Sequence, residues 1–207
     1  MFIRLVPGDC RTACEQAAGL HSVPIPTGLE DAHPVISSLR DDPERLVMPA
    51  DLRFRSLLVL QAIASAATER GWDVNESPAV WHAFQSHLQN PPARRAGAIE
   101  IGIEGFDYTV TIDQEHPRAT DPVKAGFLVV VLPQARSRAR SRWADRGTRP
   151  LEQQLPDVIG ALTQRAAEDR AYAAEQQQDL VDRNVAWEAA IADAEEISPS
   201  SAAQGIG

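Results

Sequence analysis

Six arginines that follow the third predicted strand have the residue type and spacing that suit phosphate binding. They are Arg136, Arg138, Arg140, Arg142, Arg146 and Arg149. The first four alternate strictly, and in a β-strand such side chains project from one face about 7 Å apart. A row of cations at this spacing can contact successive phosphates, and each contact releases a counterion. The sequence therefore predicts a nucleic-acid-binding segment, with weak and salt-dependent binding.

Two other interpretations of this arginine segment (residues 136–149) stay open. It can be a solvated loop or edge strand, rich in arginine because the genome favours arginine codons, since Lys124 is the only lysine among 20 basic residues. It can also dock onto acidic groups of the last helix or of another subunit. The net charge of −9 argues against tight duplex binding by this chain alone. Most of that charge lies in residues 151–207, which contain three arginines and eleven acidic residues.

The remaining residues capable of chemistry form no recognisable enzyme signature. Cys10 and Cys14, even with His21, fall short of the roughly four ligands of a structural metal site, so we interpret them as ordinary thiols. Glu100 and Glu104 would point the same way on a strand, but nothing orders them as an acid–base pair. The chain has no G-x-S-x-G, P-loop or G-x-G-x-x-G motif. We therefore expect a non-enzymatic protein without metal or cofactor.

The elements that position the arginine segment are predicted from hydrophobic periodicity. His33-Pro34 opens a short helix, and a long helix with Asp51 as N-cap runs to a Gly71 terminator. Its apolar stripe contains Leu57, Leu60, Ala64 and Ala67, widened by Phe54, Leu58 and Ile63. Alternation with period two then predicts strands near 72–74, 98–104 and 108–113, and the apolar run 126–132 predicts a central strand. The expected fold is α+β, with a small antiparallel sheet of three or four strands packed on an amphipathic helix, followed by a long C-terminal helix.

The last helical region changes character along its length. Apolar residues recur at helical spacing from Leu151 to Ala166, with Pro156 as a kink or a first-turn residue. A sparse heptad continues through Ala173, Leu180, Trp187 and Ala194, with Ile191 between. The distal half projects, pairs with another chain or breaks near Asn184. We predict a partner-binding surface formed by Leu180, Trp187 and Ile191, whereas Trp143 is predicted to fill the core.

The predicted organisation has four parts. An irregular segment covers residues 1–29, an α+β domain 30–166, an extended helical arm 167–197 and a disordered tail 198–207. No apolar stretch approaches the roughly 20 residues of a transmembrane helix, and no secretory signal is evident. We therefore expect a cytoplasmic protein without membrane association.

Four segments of the chain resemble a family of uncharacterised bacterial proteins of the GC-rich, actinobacterial type. They are AHPVISSLR (32–40), DLRFRSLLVLQAIASAATERGW (51–72), GAIEIGIEGFDYTVTI (97–112) and RWADRGTRPLEQQLPDVIGALTQRA (142–166). Members of the family often carry an additional N-terminal helix-turn-helix, which implies a DNA-associated role. Here residues 1–28 precede the shared region, and we expect that unit to be missing because three helices need more chain.

Two functions follow as expectations. The first is a non-enzymatic DNA-associated or regulatory protein that uses the arginine segment for phosphate contacts and the long helix for association with itself or a partner. The alternative is an oligomerising scaffold or adaptor with no role in nucleic-acid binding.

Overall fold

The computed structural model describes residues 22–77, 96–132 and 139–197, with side chains described through Ala194. Several predictions lie outside these residues: the thiols Cys10 and Cys14, Arg136 and Arg138, and the tail 198–207. The chain divides into two compact units, Met1–Ala166 and Ala167–Gly207.

The first unit combines helices with one antiparallel sheet, as the sequence predicts. Its helices are α1 (Pro34–Asp41), α2 (Ala50–Thr68) and the single turn α3 (Pro122–Ala125). Its strands are β1 (Asp73–Glu76), β2 (Gly97–Ile103), β3 (Phe106–Gln114), β4 (Leu128–Val131) and β5 (Arg142–Ala144). A 3₁₀ helix (Leu151–Gln154) leads into α4 (Leu155–Ile197). The α+β fold class is thus confirmed.

The five strands form a meander in the order β1-β2-β3-β4-β5, with every neighbouring pair antiparallel. Strands β2 and β3 bury alternate residues, so that Ile99 lies opposite Val110 and Ile101 opposite Tyr108. Strand β4 lies between β3 and β5, which confirms its predicted central position and explains its unbroken apolar sequence. The sheet has one strand more than the expected three or four. The additional strand, β5, was not predicted because its three residues are too few to show a periodicity.

Helix α2 supplies the largest share of the core that lies against the sheet. Leu57, Leu60 and Ile63 are at most 2% exposed, as their helical spacing predicts. The helix begins two residues earlier than expected: Pro49 is the N-cap, and Asp51 lies in the first turn without capping. Phe54 is 49% exposed, so its predicted place in the buried stripe is wrong.

The end of helix α2 follows its sequence closely. Gly71 has φ +73°, a left-handed conformation that glycine adopts without steric cost. The Trp72 N–H then donates to the Ala67 carbonyl at 3.0 Å and closes the last turn. Strand β1 begins at the next residue, Asp73.

Helix α4 is continuous from Leu155 to Ile197, so the predicted alternative of a break near Asn184 is wrong. Pro156 lies in its first turn, where the missing N–H leaves no intrahelical bond unmade. Within the first unit, Leu155, Val158 and Leu162 are fully buried. None of the helices in the described ranges combines the length and apolar character needed to cross a membrane.

Candidate functional site

Three polar side chains far apart in the sequence form a cluster that joins helix α2 to the end of the sheet. The Arg55 guanidinium donates to both carboxylate oxygens of Asp145, at 2.8 and 2.9 Å, and to both of Glu152, at 2.7 and 2.8 Å. Asp145 also accepts backbone N–H bonds from Leu128 and Leu151, each at 2.7 Å. This carboxylate clamp (Arg55, Asp145 and Glu152) therefore ties α2, β4, β5 and the 3₁₀ helix together.

The hydrogen bonds of the clamp shift the pKa values of Asp145 and Arg55 in the directions that favour their charged forms. Burial raises the pKa of Asp145, but hydrogen bonds from Arg55 and from the Leu128 and Leu151 N–H groups outweigh burial and leave the pKa below its ordinary value. The hydrogen bond to Glu152 is the largest contribution that raises the pKa of Arg55. These hydrogen bonds join separate elements of the chain, so the clamp stabilises the fold.

A second cluster forms around Glu115, directly after β3. Its side chain is only 4% exposed, and it accepts from Arg142 at 3.1 Å and from Arg146 at 3.0 Å. His116 Nε2 lies 3.8 Å from the same carboxylate. One nearly buried anion thus holds two of the six predicted phosphate-binding arginines, whose own side chains are about half exposed at 50% and 57%.

The other described arginines of the segment also have partners within the chain. Arg140 donates to the Arg142 carbonyl at 2.7 Å, and its guanidinium lies 5.6 Å from the centre of the Trp143 ring. Arg149 bonds Asp157 at 3.0 Å. Of the four described arginines, Arg142 alone lies in a strand, since β5 begins there. The internal pairing accords with the docking interpretation of the segment, and its nucleic-acid binding stays a prediction.

Trp143 is fully buried, which confirms its predicted place in the core. It pairs with Val130 across β4 and β5. Among the described residues, its indole N–H has no hydrogen-bond partner. Trp143 thus anchors the short β5 strand from which Arg142 projects.

Glu100 and Glu104 do not lie together on one strand, although their spacing predicted that they would. Glu104 lies in the β2–β3 turn with φ +52°, and only Glu100 is in a strand. Burial raises the pKa of Glu100, and the nearby Asp107 raises it further. Within the described ranges no group of three or more His, Cys, Asp and Glu residues is placed to hold a metal ion.

The surface of the first unit carries a groove beside the Glu115 cluster and a second one elsewhere. A groove of about 1460 Å³ is lined by apolar Val47 and Met48 on one side and by His116, Arg118 and Lys124 on another. A smaller groove of about 430 Å³ contains the exposed Phe54 with Arg40 and Arg53. Both are open to solvent.

The second unit presents a different kind of surface. Every described side chain from 171 to 194 is exposed. The three predicted partner-binding residues are among them: Leu180 is 48% exposed, Trp187 69% and Ile191 43%. Further large apolar side chains with high exposure are Tyr172, Val181 and Val185.

Sequence reasoning missed the clamp and the role of Glu115. Arg55 lies 90 positions before Asp145 and 97 before Glu152, so no local spacing connects them. It also missed Arg53, whose guanidinium donates to the carbonyls of Leu39, Arg40 and Asp42 at the end of α1. A charged residue on a largely buried helix was the only signal available for either arginine.

No protein family, no curated protein and no solved structure matches this chain. The resemblance to uncharacterised bacterial proteins, the bacterial origin and the cytoplasmic location therefore stay predictions. Function has to be argued from the surfaces described above.

Proposed function

We propose that the protein is a non-enzymatic scaffold that self-associates through the C-terminal helical segment, residues 167–197. The observation that carries the proposal is the exposure of Leu180, Trp187 and Ile191 along one face of a long helix. At 100° per residue these three positions fall within about 40° of one another. Aligned large apolar side chains on a polar helix are typical of an association surface.

The energetics of an isolated helix support the same proposal. Helix formation has a costly nucleus, and in proteins most helical stability comes from packing of an apolar face. Residues 171–194 bury no side chain within the chain, yet they form seven continuous turns. Packing against another helix would supply the missing burial.

Substitution of Leu180 by aspartate tests the proposal. We expect wild-type protein to gain mass with concentration in size-exclusion chromatography with light scattering, and Leu180→Asp to stay monomeric because a charge then faces the partner. Val185→Asp is the matched control, since Val185 is 60% exposed but lies about 140° around the helix from Leu180. A wild-type monomer at every concentration would contradict the proposed function.

A nucleic-acid role is the second candidate, favoured by the half-exposed side chains of Arg142, Arg146 and Arg149. Their carboxylate partners Glu115 and Asp157 offset part of their charge. Phosphates would therefore have to displace existing ion pairs, which weakens this candidate relative to the scaffold.

A further inference from the structure

The positions on the C-terminal helical segment fit a heptad frame when Leu180 and Trp187 are assigned to d. Position d then holds Ala173, Leu180, Trp187 and Ala194, and position a holds Gln177, Asn184 and Ile191. Apolar and polar residues share this seam, with an asparagine at its centre. A buried asparagine at a is the device that fixes register and a two-stranded parallel state in coiled coils, at some cost in stability.

The flanking positions carry complementary charges in the same frame. Position g is occupied by Arg183 and position e of the following heptad by Glu188. In a parallel two-stranded coiled coil, a g residue lies beside the e residue five positions further along the partner. Arg183 of each helix would thus meet Glu188 of the other, giving two symmetric ion pairs.

Both residues are exposed. Among the described residues, neither the Arg183 nor the Glu188 side chain has a hydrogen bond or ion pair. An antiparallel pair would instead place g beside g, where the other g residues Gln176 and Ala190 carry no charge. The charge pattern therefore favours a parallel partner that carries the same sequence.

The remaining charge of the segment is also compatible with a second copy. Residues 167–197 contain nine acidic residues and two arginines. The helical positions of Glu175, Asp179, Asp182 and Asp193 fall 100–160° from Leu180, on one side of the helix. In a parallel pair this side of one helix lies across the opposite flank of the other, so the two acidic stripes stay apart.

We infer that the occupant of this surface is a second copy of the chain, paired as a parallel, in-register two-stranded coiled coil with Asn184 against Asn184 and Arg183 against Glu188 of the partner subunit. The inference rests on the proposed function and specifies its partner. Leu180, Trp187 and Ile191 supply the apolar contacts, and the charged pairs select orientation and register.

Cysteine cross-linking of the full chain tests register. In a background with Cys10→Ser and Cys14→Ser, Asn184→Cys places two thiols across the seam, where the Cα–Cα distance of a parallel pair suits a disulfide. We expect mild oxidation to give a covalent dimer. Asp182→Cys, at outward position f, is the control and should stay uncrosslinked.

Charge reversal tests the partner's identity and orientation. Arg183→Glu and Glu188→Arg each turn two attractions into two repulsions, so each variant alone should self-associate about tenfold more weakly. Their equimolar mixture restores both pairs, and we expect it to form heterodimers with near wild-type affinity in sedimentation equilibrium.

The outcomes separate the two proposals. A protein that oligomerises without cross-linking at 184 and without recovery in the mixture would overturn the parallel pairing and leave the scaffold function standing. A chain that stays monomeric under all these conditions would overturn both.

Discussion

At the scale of single residues, Asp145 combines an ion pair with two hydrogen bonds from backbone N–H groups. Its side chain is 4% exposed and accepts bonds from one guanidinium and two backbone N–H groups. Removing one member of such a set leaves the others buried and partly unpaired, which costs more than the ion pair itself contributes.

Asp145→Asn is therefore expected to lower the free energy of unfolding by about 3 kcal/mol at pH 7. The amide keeps one acceptor but turns an N–H toward donors. Because the folded pKa of Asp145 is lowered, its contribution is present above the unfolded pKa of about 3.9 and is lost as pH falls through the folded pKa. Urea denaturation at pH 7, 5 and 3 measures the effect.

Asp41→Asn is the control for that experiment. Asp41 pairs with Arg40 at 2.8 Å, but both side chains are exposed, so its loss should leave stability nearly unchanged. An Asp145→Asn defect of equal size at pH 7 and pH 3 would contradict the assigned charge state.

At the scale of elements, sequence patterns correctly predicted those strands and helix ends that depend on neighbouring residues in the chain. Period-two alternation located β2 and β3, and the Gly71 terminator located the end of α2. The misassigned positions depended on tertiary context. Phe54 matches a helical stripe, but among the described residues it lines an open groove. Sequence periodicity does not show which side chains pack against a given face of a helix.

The candidate sites differ in the same way: one is visible as a local sequence pattern, and the other depends on residues far apart in the chain. Leu180, Trp187 and Ile191 were predictable because an apolar heptad on a polar helix is visible in sequence. The pairing of Arg142 and Arg146 with Glu115 was not, because the carboxylate lies 27 and 31 positions upstream, directly after β3. The sequence left docking onto the last helix or another subunit open for the arginine segment, but it did not point to Glu115.

At the scale of the whole molecule, net charge limits what the arginine segment can bind. The chain carries −9, and Glu115 and Asp157 already form ion pairs with three arginines and offset part of their charge. Any nucleic-acid complex should therefore be weak and strongly dependent on salt.

Fluorescence anisotropy with a short random-sequence duplex tests this expectation. If all six arginines contact phosphates, the log–log slope of affinity against salt should be about −5. Glu115→Gln should strengthen binding at low salt because it releases Arg142 and Arg146, whereas Arg142→Ala should weaken it. Arg70→Ala, an equal loss of charge at the end of α2, is the control, and no binding at low salt would exclude the nucleic-acid role.

The 90-residue separation between Arg55 and Asp145 also has a kinetic consequence. Closing so long a loop costs chain entropy before the contact stabilises anything, so the clamp is expected to form after the folding transition state. Asp145→Asn should then speed unfolding and leave the refolding rate near wild type in a denaturant-jump experiment, whereas slowed refolding would place the clamp in the nucleus. On the ribosome, at a translation rate of ~5–20 residues per second, the carboxylates that pair with Arg55 are synthesised roughly 5–20 s after it. Helix α2 is thus synthesised before the carboxylates that join it to the end of the sheet, which follow 90 and 97 residues later.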